Sequence, residues 1–329
     1  MFSSVIVALL AAHGVDAWGS LGHQTIAYIA TSFVAPETQQ WAQDILNDTT
    51  SSYLANVATW ADSYRYTAEG AFSAPFHYID ANDDPPHSCN VDFDRDCGTS
   101  GCLVSAIANY TTRVQATKSL SRTQVNYALR WIVHFVGDIT QPLHDEAFEI
   151  GGNGVNVTFA GKRTNLHATW DTSIPEQLEG GYGLAVAKKW AANLTTEITS
   201  GCYANQKSSW VAGLDIDDAK ATSLGWATDA NQYVCSTVMP NGADVLRSGD
   251  LYPQYYNSAV DTVELQIAKG GYRLAKYLDA IAAAKDISKR ELRFVMPRED
   301  LSGEYLLPGG EMTPAQLRRA AVGGYNCKH

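Results

Sequence analysis

The stretch at residues 131–146, WIVHFVGDITQPLHDE, places ionisable side chains inside an apolar run. His134 and Asp138 are four residues apart, so on an α-helix they lie one turn apart on the same face. Burying an imidazole and a carboxylate without partners is costly, and metal binding is one way to offset that cost. Pro142 ends the helix, and His144 follows it closely. The stretch therefore indicates either three metal ligands or a buried His–Asp hydrogen bond beside an unrelated His144.

A second pair with the same spacing occurs at His167 and Asp171, in the segment LHATWDTSIP. These two residues also share one helical face. Because the spacing recurs, it favours metal sites over two unrelated hydrogen bonds in the core. Further nitrogen and oxygen donors are His23, Asp62 and His77, each of which, taken alone, is typical of a structural residue.

Length and composition are those of a folded globular protein. The chain has 329 residues, 45% of them hydrophobic and 18% charged, so a sizeable core is expected. The formal charge is −11 and no basic patch is visible, so a phosphate-bearing substrate would be met locally by metal ions and a few Arg or Lys residues. No apolar run after the first residues approaches the length of a membrane span, and we expect no membrane association.

The first seventeen residues, MFSSVIVALLAAHGVDA, predict a secretory signal peptide. Residues 5–12 form its apolar centre, and the small residues before Trp18 predict cleavage after Ala17. Since no Lys or Arg precedes the apolar centre, the alternative is a soluble N-terminal helix. Secretion would make Trp18 the first residue of the mature chain.

Sequons and cysteines are also typical of a secreted protein. Four N-x-[ST] sequons predict glycosylation, at Asn47, Asn109, Asn156 and Asn193. Six cysteines are present, at positions 89, 97, 102, 202, 235 and 327, and an oxidising compartment would make them disulfides. The spacing of Cys97 and Cys102 suits a small local loop, and the absence of CxxC pairs argues against thiolate zinc sites.

Apolar periodicity predicts an all-α fold, a mainly helical single domain with a small β-hairpin. Helices are predicted for residues 18–34, 36–46, 51–66, 102–117, 121–139, 167–174, 183–199, 209–214, 219–238 and 257–284. The hairpin is expected within residues 151–165 and a disulfide-pinned loop within 83–101. We divide the chain into a signal peptide (1–17), a catalytic domain (18–285) and a C-terminal tail (286–329). The tail is either removed at Lys289-Arg290 or retained through a Cys202–Cys327 disulfide.

Six segments, in order, resemble one enzyme family: WGSLGH, ATWADSYR, HYIDANDDPP, VHFVGDITQPLHDE, GGNG and NLHATWD. They are similar to segments of the secreted fungal zinc-dependent single-strand-specific nucleases and 3′-nucleotidases of the S1/P1 type. The resemblance covers about residues 18–284. It implies the helical fold that these nucleases share with bacterial zinc phospholipases C, which are the nearest enzymatic alternative.

The resemblance implies three zinc ions held by nitrogen and oxygen donors, with positions left open for water and substrate. The first group of ligands is Asp62, His77, His134 and Asp138. The second is His144, His167 and Asp171. The third is the amino group and carbonyl oxygen of Trp18, with His23 and the shared Asp138. His87 matches none of these positions and is interpreted as an ordinary loop residue.

The implied reaction is hydrolysis of single-stranded DNA and RNA to 5′-phosphonucleotides, with 3′-nucleotidase activity. A metal-bridged hydroxide would attack phosphorus, and zinc would stabilise the departing 3′-oxygen. We count Asp62 and Asp138 as catalytic because they belong to the implied zinc ligands. We also count Arg65 as catalytic, because it is suitably placed to neutralise phosphoryl charge. The alternative role of Arg65 is a surface salt bridge.

The resemblance also implies a site for one unstacked base. Tyr78 and Ile150 would sandwich the base, while Asp80 and Asn153 would hydrogen-bond to its edge. Lys162 stands where relatives can carry a tyrosine for a second base, so a second nucleotide site stays open. The implied disulfides are Cys89–Cys235 and Cys97–Cys102, with no partners assigned to Cys202 and Cys327.

The sequence therefore predicts a secreted, monomeric zinc phosphodiesterase that acts on single-stranded nucleic acid and 3′-nucleotides. Two alternatives stay open: a phospholipase C-like enzyme acting on lipid head groups, and a non-enzymatic zinc-binding protein. A hydrophobic rim around the metals would favour the phospholipase, whereas Asp80 and Asn153 favour nucleotide recognition. The absence of an H-E-x-x-H segment argues against a zinc protease.

Overall fold

The computed structural model describes residues 18–284. The predicted signal peptide, the tail at 286–329, the dibasic pair and Cys327 lie outside the described residues. Within them the fold is mainly helical, as predicted, with one two-stranded antiparallel sheet. No helix of the described part is long and apolar enough to cross a membrane.

The α-helices are α1 (Ser20–Phe33), α2 (Pro36–Leu46), α3 (Trp60–Tyr64), α4 (Phe93–Asp96), α5 (Leu103–Gln115), α6 (Arg122–Asp138), α7 (Leu166–Ala168), α8 (Ile174–Glu179), α9 (Leu184–Thr199), α10 (Ala219–Tyr233), α11 (Ala243–Leu246) and α12 (Gln254–Ala283). Short 3₁₀ helices span Ala71–His77, Pro142–Asp145 and Ser209–Val211. Two π-helical turns, Thr169–Ser173 and Val234–Val238, continue α7 and α10. The strands are β1 (Asn156–Phe159) and β2 (Lys162–Asn165).

Helices α1, α6 and α12 form the centre of the core. Residues 21–30 of α1 and 128–138 of α6 are buried without interruption, so these stretches of the two helices are enclosed on all sides. Helix α12 approaches α1 closely because it carries Gly270 and Gly271 at the contact. A Cβ atom on Gly271 would lie 2.4 Å from the Cβ of Ile29. The ligands carried by α1 and α6 are thus fixed by deep packing.

Helix α6 begins and ends where its sequence signals predict. Ser121 and Gln124 form a capping box, with the Ser121 hydroxyl accepting from the Gln124 amide at 3.3 Å. The helix ends at Asp138, four residues before Pro142. The 3₁₀ turn that begins at Pro142 then carries His144. Because the chain changes direction at this turn, His144 is separated from His134 and Asp138 on the helix.

The predicted hairpin is present between residues 156 and 165. Asn156 pairs with Asn165 and Phe159 with Lys162 in an antiparallel register. The two turn residues, Ala160 and Gly161, have φ angles of 48° and 77°, as a two-residue hairpin turn of type I′ requires.

The helix predicted for residues 51–66 is wrong over most of its length, because only Trp60–Tyr64 is helical and residues 51–59 form turns. Polar side chains compete with the helical backbone there. The Asp48 carboxylate accepts from the Thr50 amide at 2.8 Å and from the Asn56 side chain at 2.6 Å. The carbonyl of Ala58 is consequently available to a side chain elsewhere.

Other boundaries differ less. The helix predicted at 257–284 begins at Gln254, and the one predicted at 209–214 is only the 3₁₀ turn Ser209–Val211. The loop at 83–101 is pinned as predicted, by Cys89–Cys235 and Cys97–Cys102, and it contains the short helix α4. His87 lies in this loop and is exposed.

Candidate metal centre

The first predicted ligand group converges on one buried point. The Nδ1 atom of His77 and the Nε2 atom of His134 lie 3.1 Å and 3.2 Å from Asp138 Oδ2, and 3.1 Å from each other. Asp62 Oδ1 completes the group at 3.4 Å from His134 Nε2 and 3.7 Å from His77 Nδ1. These four donor atoms can bind one cation in a four-coordinate arrangement.

The second group joins residues from two separate turns. The Nε2 atom of His167 lies 3.1 Å from Asp171 Oδ2, and that of His144 lies 3.9 Å from Asp171 Oδ1. All three side chains are buried. Gln141, which sequence reasoning missed, donates from Nε2 to Asp171 Oδ1 at 2.5 Å and so holds the carboxylate in place. Its position in the DITQPLH segment was the available signal.

The third group shares Asp138 with the first. The Nε2 atom of His23 lies 3.1 Å from Asp138 Oδ1, whereas His77 and His134 face Oδ2 of the same carboxylate. The rings of His23 and His134 stack with centroids 4.0 Å apart. Asp138 therefore has one oxygen directed to each of two donor groups, which is the geometry of a bridging carboxylate.

Trp18 is fully buried beside these groups. Its indole nitrogen donates to the Thr140 hydroxyl at 3.2 Å, and the amide of Gly19 donates to the Asp171 carbonyl at 2.8 Å. The backbone at residues 18–19 is thus tied to the end of α6 and to the π turn that carries Asp171. These contacts hold the first described residue next to helix α1 and its His23.

Backbone carbonyls orient three of the histidines. The Nδ1 atoms of His134, His144 and His167 lie 2.7, 2.6 and 2.6 Å from the carbonyl oxygens of Ala58, His77 and Gly151 respectively. Since a carbonyl only accepts, each Nδ1 must donate, and each Nε2 is the ring nitrogen that can bind a metal. A metal-binding histidine usually donates its other ring N–H to a carbonyl or carboxylate in this way, which fixes the orientation of the ring. Carbonyl partners have no side-chain signature, so the sequence could not predict them.

The electrostatics keep the carboxylates ionised. Burial alone would raise the pKa of Asp62, but His134 and its neighbours lower it to about 2. The pKa of Asp138 is likewise held well below its usual range by His134, against the effect of burial. Burial lowers the pKa of His144 to about 4 and also lowers that of His77. Both carboxylates are therefore anionic and both imidazoles neutral at neutral pH, as metal binding requires.

The His134 imidazole differs from these two. Burial alone would lower its pKa, but Asp138 and Asp62 raise it well above the usual value. The anionic field at this point is therefore strong enough to stabilise a cation in the core. A divalent metal ion bound here would neutralise the negative charge of the two carboxylates.

The donor sets fit zinc on a further observation. Within residues 18–284, several buried donor atoms lie close to one another but make no hydrogen bond of acceptable geometry: His23 Nε2, Asp62 Oδ1, Asp138 Oδ1, His144 Nε2, His167 Nε2 and Asp171 Oδ2. Nearly all buried polar atoms in proteins are hydrogen-bonded, so unpartnered atoms that converge in groups require another explanation. Imidazole and carboxylate donors within 4.8 Å of one another are suited to zinc.

Arg65 lies at the edge of the first group. It follows α3, which carries Asp62, and its guanidinium donates to the Tyr66 hydroxyl at 3.0 Å while lying over that ring. Burial would lower the pKa of Arg65, but Asp62 raises it, so the side chain is a permanent cation close to the metal ligands.

The four residues predicted to contact a base lie on two neighbouring segments. Backbone hydrogen bonds from Ile79 to the His144 carbonyl (2.8 Å) and from Ala147 to the Ala81 carbonyl (3.0 Å) join residues 79–81 to residues 144–147. Ile79 is buried, whereas Tyr78 is 39% exposed and Ile150 is 79% exposed. Both large apolar side chains are therefore available to a ligand.

The polar members of this set are also placed. Burial, followed by Asp96, raises the pKa of Asp80. The Asn153 side chain donates to the Ile150 carbonyl at 2.8 Å. Lys162 is exposed at the start of β2, and the question of a second nucleotide site there stays open.

Comparison with known proteins gives close relatives over the whole described region. The S1/P1 nuclease family model matches residues 18–283. Nuclease PA3 from a Penicillium species and nuclease P1 from Penicillium citrinum are each 55% identical over 264 residues, covering 80% of this chain and 97% of theirs. Nuclease S1 from Aspergillus oryzae is 54% identical over 266 residues, covering 81% of this chain and 92% of its own.

Among solved structures, an alpha-toxin from Clostridium perfringens has a TM-score of 0.46 and 14% identity. That match covers 84% of this chain and 66% of the toxin. This degree of similarity carries no further conclusion.

Proposed function

The chain belongs to the S1/P1 nuclease family. We propose that the residues named above hold zinc in three donor groups, and that the protein cleaves nucleic acid at that metal centre. The chain is a zinc-dependent phosphodiesterase, and the substrates we propose are single-stranded DNA, single-stranded RNA and 3′-nucleotides. The observation that carries the proposal is Asp138, whose two oxygens face two donor groups. One carboxylate can thereby hold two metal ions close together.

The bound zinc ions would supply Lewis acidity toward phosphate oxygens and lower the pKa of water into the neutral range. The protein residues keep the ligands in place and deprotonated. The carbonyls of Ala58, His77 and Gly151 fix three imidazole rings, and Gln141 fixes Asp171. A rigid set of this kind costs little reorganisation during the reaction.

We propose that Arg65 stabilises the negative charge that develops on the phosphoryl oxygens. Its position beside Asp62 keeps it near the metals, and the Tyr66 ring restrains its guanidinium. A preorganised cation of this kind acts most strongly in the transition state, so Arg65 is expected to affect kcat more than KM.

Base recognition is proposed for the exposed pair Tyr78 and Ile150, with Asp80 and Asn153 at the base edge. Stacking on such side chains contributes about 1–3 kcal/mol per base and is independent of sequence. A base inside a duplex cannot enter between two side chains without leaving its stack. This accounts for the proposed preference for single strands.

We also propose that the chain is secreted as a monomeric glycoprotein, with its signal peptide removed after Ala17. The family match begins at Trp18, immediately after the predicted cleavage site. The four sequon asparagines are exposed, and two disulfides are present. Intact-mass analysis of secreted protein before and after deglycosylation, with N-terminal sequencing, would test the secretion, the glycosylation and the cleavage site.

The central test combines a zinc count with turnover of single-stranded DNA, RNA and 3′-AMP by the mature protein. His144→Ala should lose zinc and activity, because His144 supplies a donor to the second group. His87→Ala is the matched control, since His87 is exposed and lies outside all three groups. Fewer than two zinc ions per chain, or full activity in His144→Ala, would refute the proposed mechanism. A zinc-replete protein that is inert toward all three substrates would support the non-enzymatic alternative.

A further inference from the structure

Four successive residues after helix α6 and its 3₁₀ turn have left-handed backbone conformations. Glu149, Ile150, Gly151 and Gly152 have φ angles of 44°, 61°, 57° and 78°. Glycine adopts this region without cost, but a β-branched residue such as isoleucine rarely does. The conformation at Glu149 and Ile150 is therefore strained and must be held by contacts that the rest of the fold supplies.

This left-handed loop, residues 149–152, connects the two parts of the proposed site. The Gly151 carbonyl accepts from His167 Nδ1 at 2.6 Å, which orients a proposed zinc ligand. Ile150, next to it, is 79% exposed and is one of the two proposed base-stacking residues. The loop conformation consequently fixes where a base would lie relative to the metals.

Within the loop region, short-range hydrogen bonds close the turn. The Gly152 amide donates to the Phe148 carbonyl at 2.8 Å, and the Gly154 amide donates to the Glu149 carbonyl at 2.8 Å. Gly154 also lies close to Glu149, since a Cβ atom there would be 3.0 Å from Glu149 Oε2. These contacts shape the turn, but they do not connect it to the rest of the molecule.

A second connection to the rest of the molecule, besides the hydrogen bond from His167 to Gly151, is Arg247, which follows helix α11. Its guanidinium is paired with the Glu149 carboxylate and reaches the Gly154 carbonyl at 3.5 Å. Arg247 is itself paired with Asp244 at 3.4 Å. It therefore contacts the first residue of the left-handed loop, 98 positions away in the chain, and Gly154 just beyond the end of that loop.

The residues that follow Arg247 also hold the β1–β2 hairpin in place. The Asp250 carboxylate accepts from the amides of Ala160 and Gly161 at 2.8 Å and 2.7 Å. The Leu251 amide donates to the Thr158 carbonyl at 2.8 Å. Residues 247–251 thus act as a strap that joins the left-handed loop to the hairpin turn, and Arg247 is the part of the strap that reaches the base-contacting loop.

We propose that Arg247 is a positioning residue for substrate binding. By holding Glu149, it keeps Ile150 in its left-handed conformation and so fixes one wall of the base site. The inference rests on the proposed function, in which Ile150 contacts a base. An ordinary exposed ion pair contributes little to stability, so the effect of Arg247 is expected in substrate binding and not in folding or metal content.

The test measures KM and kcat for a single-stranded oligonucleotide together with the zinc count. Arg247→Ala should raise KM about fivefold to tenfold, leaving kcat within twofold and the zinc content unchanged. The exchanged pair, Glu149→Arg with Arg247→Glu, should recover most of the lost affinity because it restores the ion pair. Asp244→Asn is the control, since it removes the other partner of Arg247 without touching the loop.

An unchanged KM in Arg247→Ala, or no recovery in the exchanged pair, would overturn the inference. So would a fall in kcat accompanied by zinc loss, because that result would place the effect at His167. If the unmodified protein fails to cleave the oligonucleotide, the proposed function itself fails. The two failures are therefore distinguishable.

Discussion

Gly137 lies directly against the imidazole of His23. A Cβ atom added at Gly137 would be 2.7 Å from Nδ1 and 2.9 Å from Cε1 of that ring. The opposite ring nitrogen, Nε2, lies 3.1 Å from Asp138 Oδ1. The missing side chain at position 137 thus allows α1 to approach α6 where their two proposed ligands meet.

Gly137→Ala is therefore expected to displace His23 and to impair the third donor group. The ring cannot yield easily, because it is buried and stacked on His134. A misplacement of about 1 Å can reduce catalysis on the order of 10²-fold, and we expect a loss of that size in kcat/KM. The zinc count should fall by about one ion per chain.

Gly225→Ala in α10 is the matched control for this substitution. Apart from the backbone of its own helix and its chain neighbours, no described atom lies within 4 Å of a Cβ built there, so the methyl group fits. Alanine in a helix interior is favoured over glycine by roughly 0.5–1 kcal/mol, so this variant should be slightly more stable and fully active. If Gly137→Ala also kept its full zinc content and activity, the close contact would have no functional role.

Arg65→Ala is expected to lower kcat by about 10²- to 10³-fold, as loss of one preorganised charge-stabilising group does elsewhere. The zinc content should be unchanged, because the guanidinium is a cation and not a ligand. Steady-state kinetics with 3′-AMP and zinc analysis check both statements. Arg65→Lys keeps the charge and should retain more activity than Arg65→Ala. Equal rates in all three proteins would assign Arg65 to the surface ion pair that the sequence left open.

The sequence predicts that His134 lies beside Asp138 and that His167 lies beside Asp171, because the spacing within each pair is local. His134 and Asp138 are one helical turn apart and lie 3.2 Å apart in the structure, and His167 and Asp171 behave in the same way. The sequence also predicts the end of α6, because Pro142 disfavours a helical conformation in the residue before it.

The relationships that the sequence does not predict involve distant segments. The contact of Gly137 with His23 depends on how closely two helices pack, and the Glu149–Arg247 pair joins residues 98 positions apart. The non-helical conformation of residues 51–59 depends on side-chain hydrogen bonds from Asp48. No periodicity in a single segment encodes contacts of this kind.

Asp229 is the counter-charge for two buried cations. Its carboxylate accepts from Lys269 Nζ at 2.8 Å and from Arg273 Nη2 at 2.7 Å. Asp229→Asn would remove the carboxylate that pairs with both cations. A fully buried broken pair costs about 3–5 kcal/mol, and because the Asp229 side chain is 33% exposed, we expect a smaller destabilisation of about 2 kcal/mol.

The destabilisation should depend on pH. Burial alone would raise the pKa of Asp229, but Arg273 and Lys269 lower it overall. A carboxylate with a lowered pKa in the folded state stabilises the fold above its unfolded pKa of about 3.9. That contribution is lost as pH falls through the folded pKa. Urea midpoints should therefore differ between the two proteins at pH 7 and converge in acid, whereas the exposed Asp244→Asn should match the unmodified protein throughout.

Trp18 gives the most direct test of the proposed processing site. A chain with one extra residue before Trp18 has an amide nitrogen in place of a free amine, and an amide nitrogen has no available lone pair for a metal. The buried indole and its hydrogen bond to Thr140 leave little freedom for the backbone to reposition. We expect the extended chain to fold, to hold about one zinc ion fewer and to lose on the order of 10²-fold in kcat/KM.

Two proteins released from a fusion, one beginning at Trp18 and one a residue earlier, would be compared by zinc analysis and single-stranded DNA cleavage. Equal zinc content and equal rates would show that the amino group of Trp18 is not a ligand, and that cleavage after Ala17 is not required for activity.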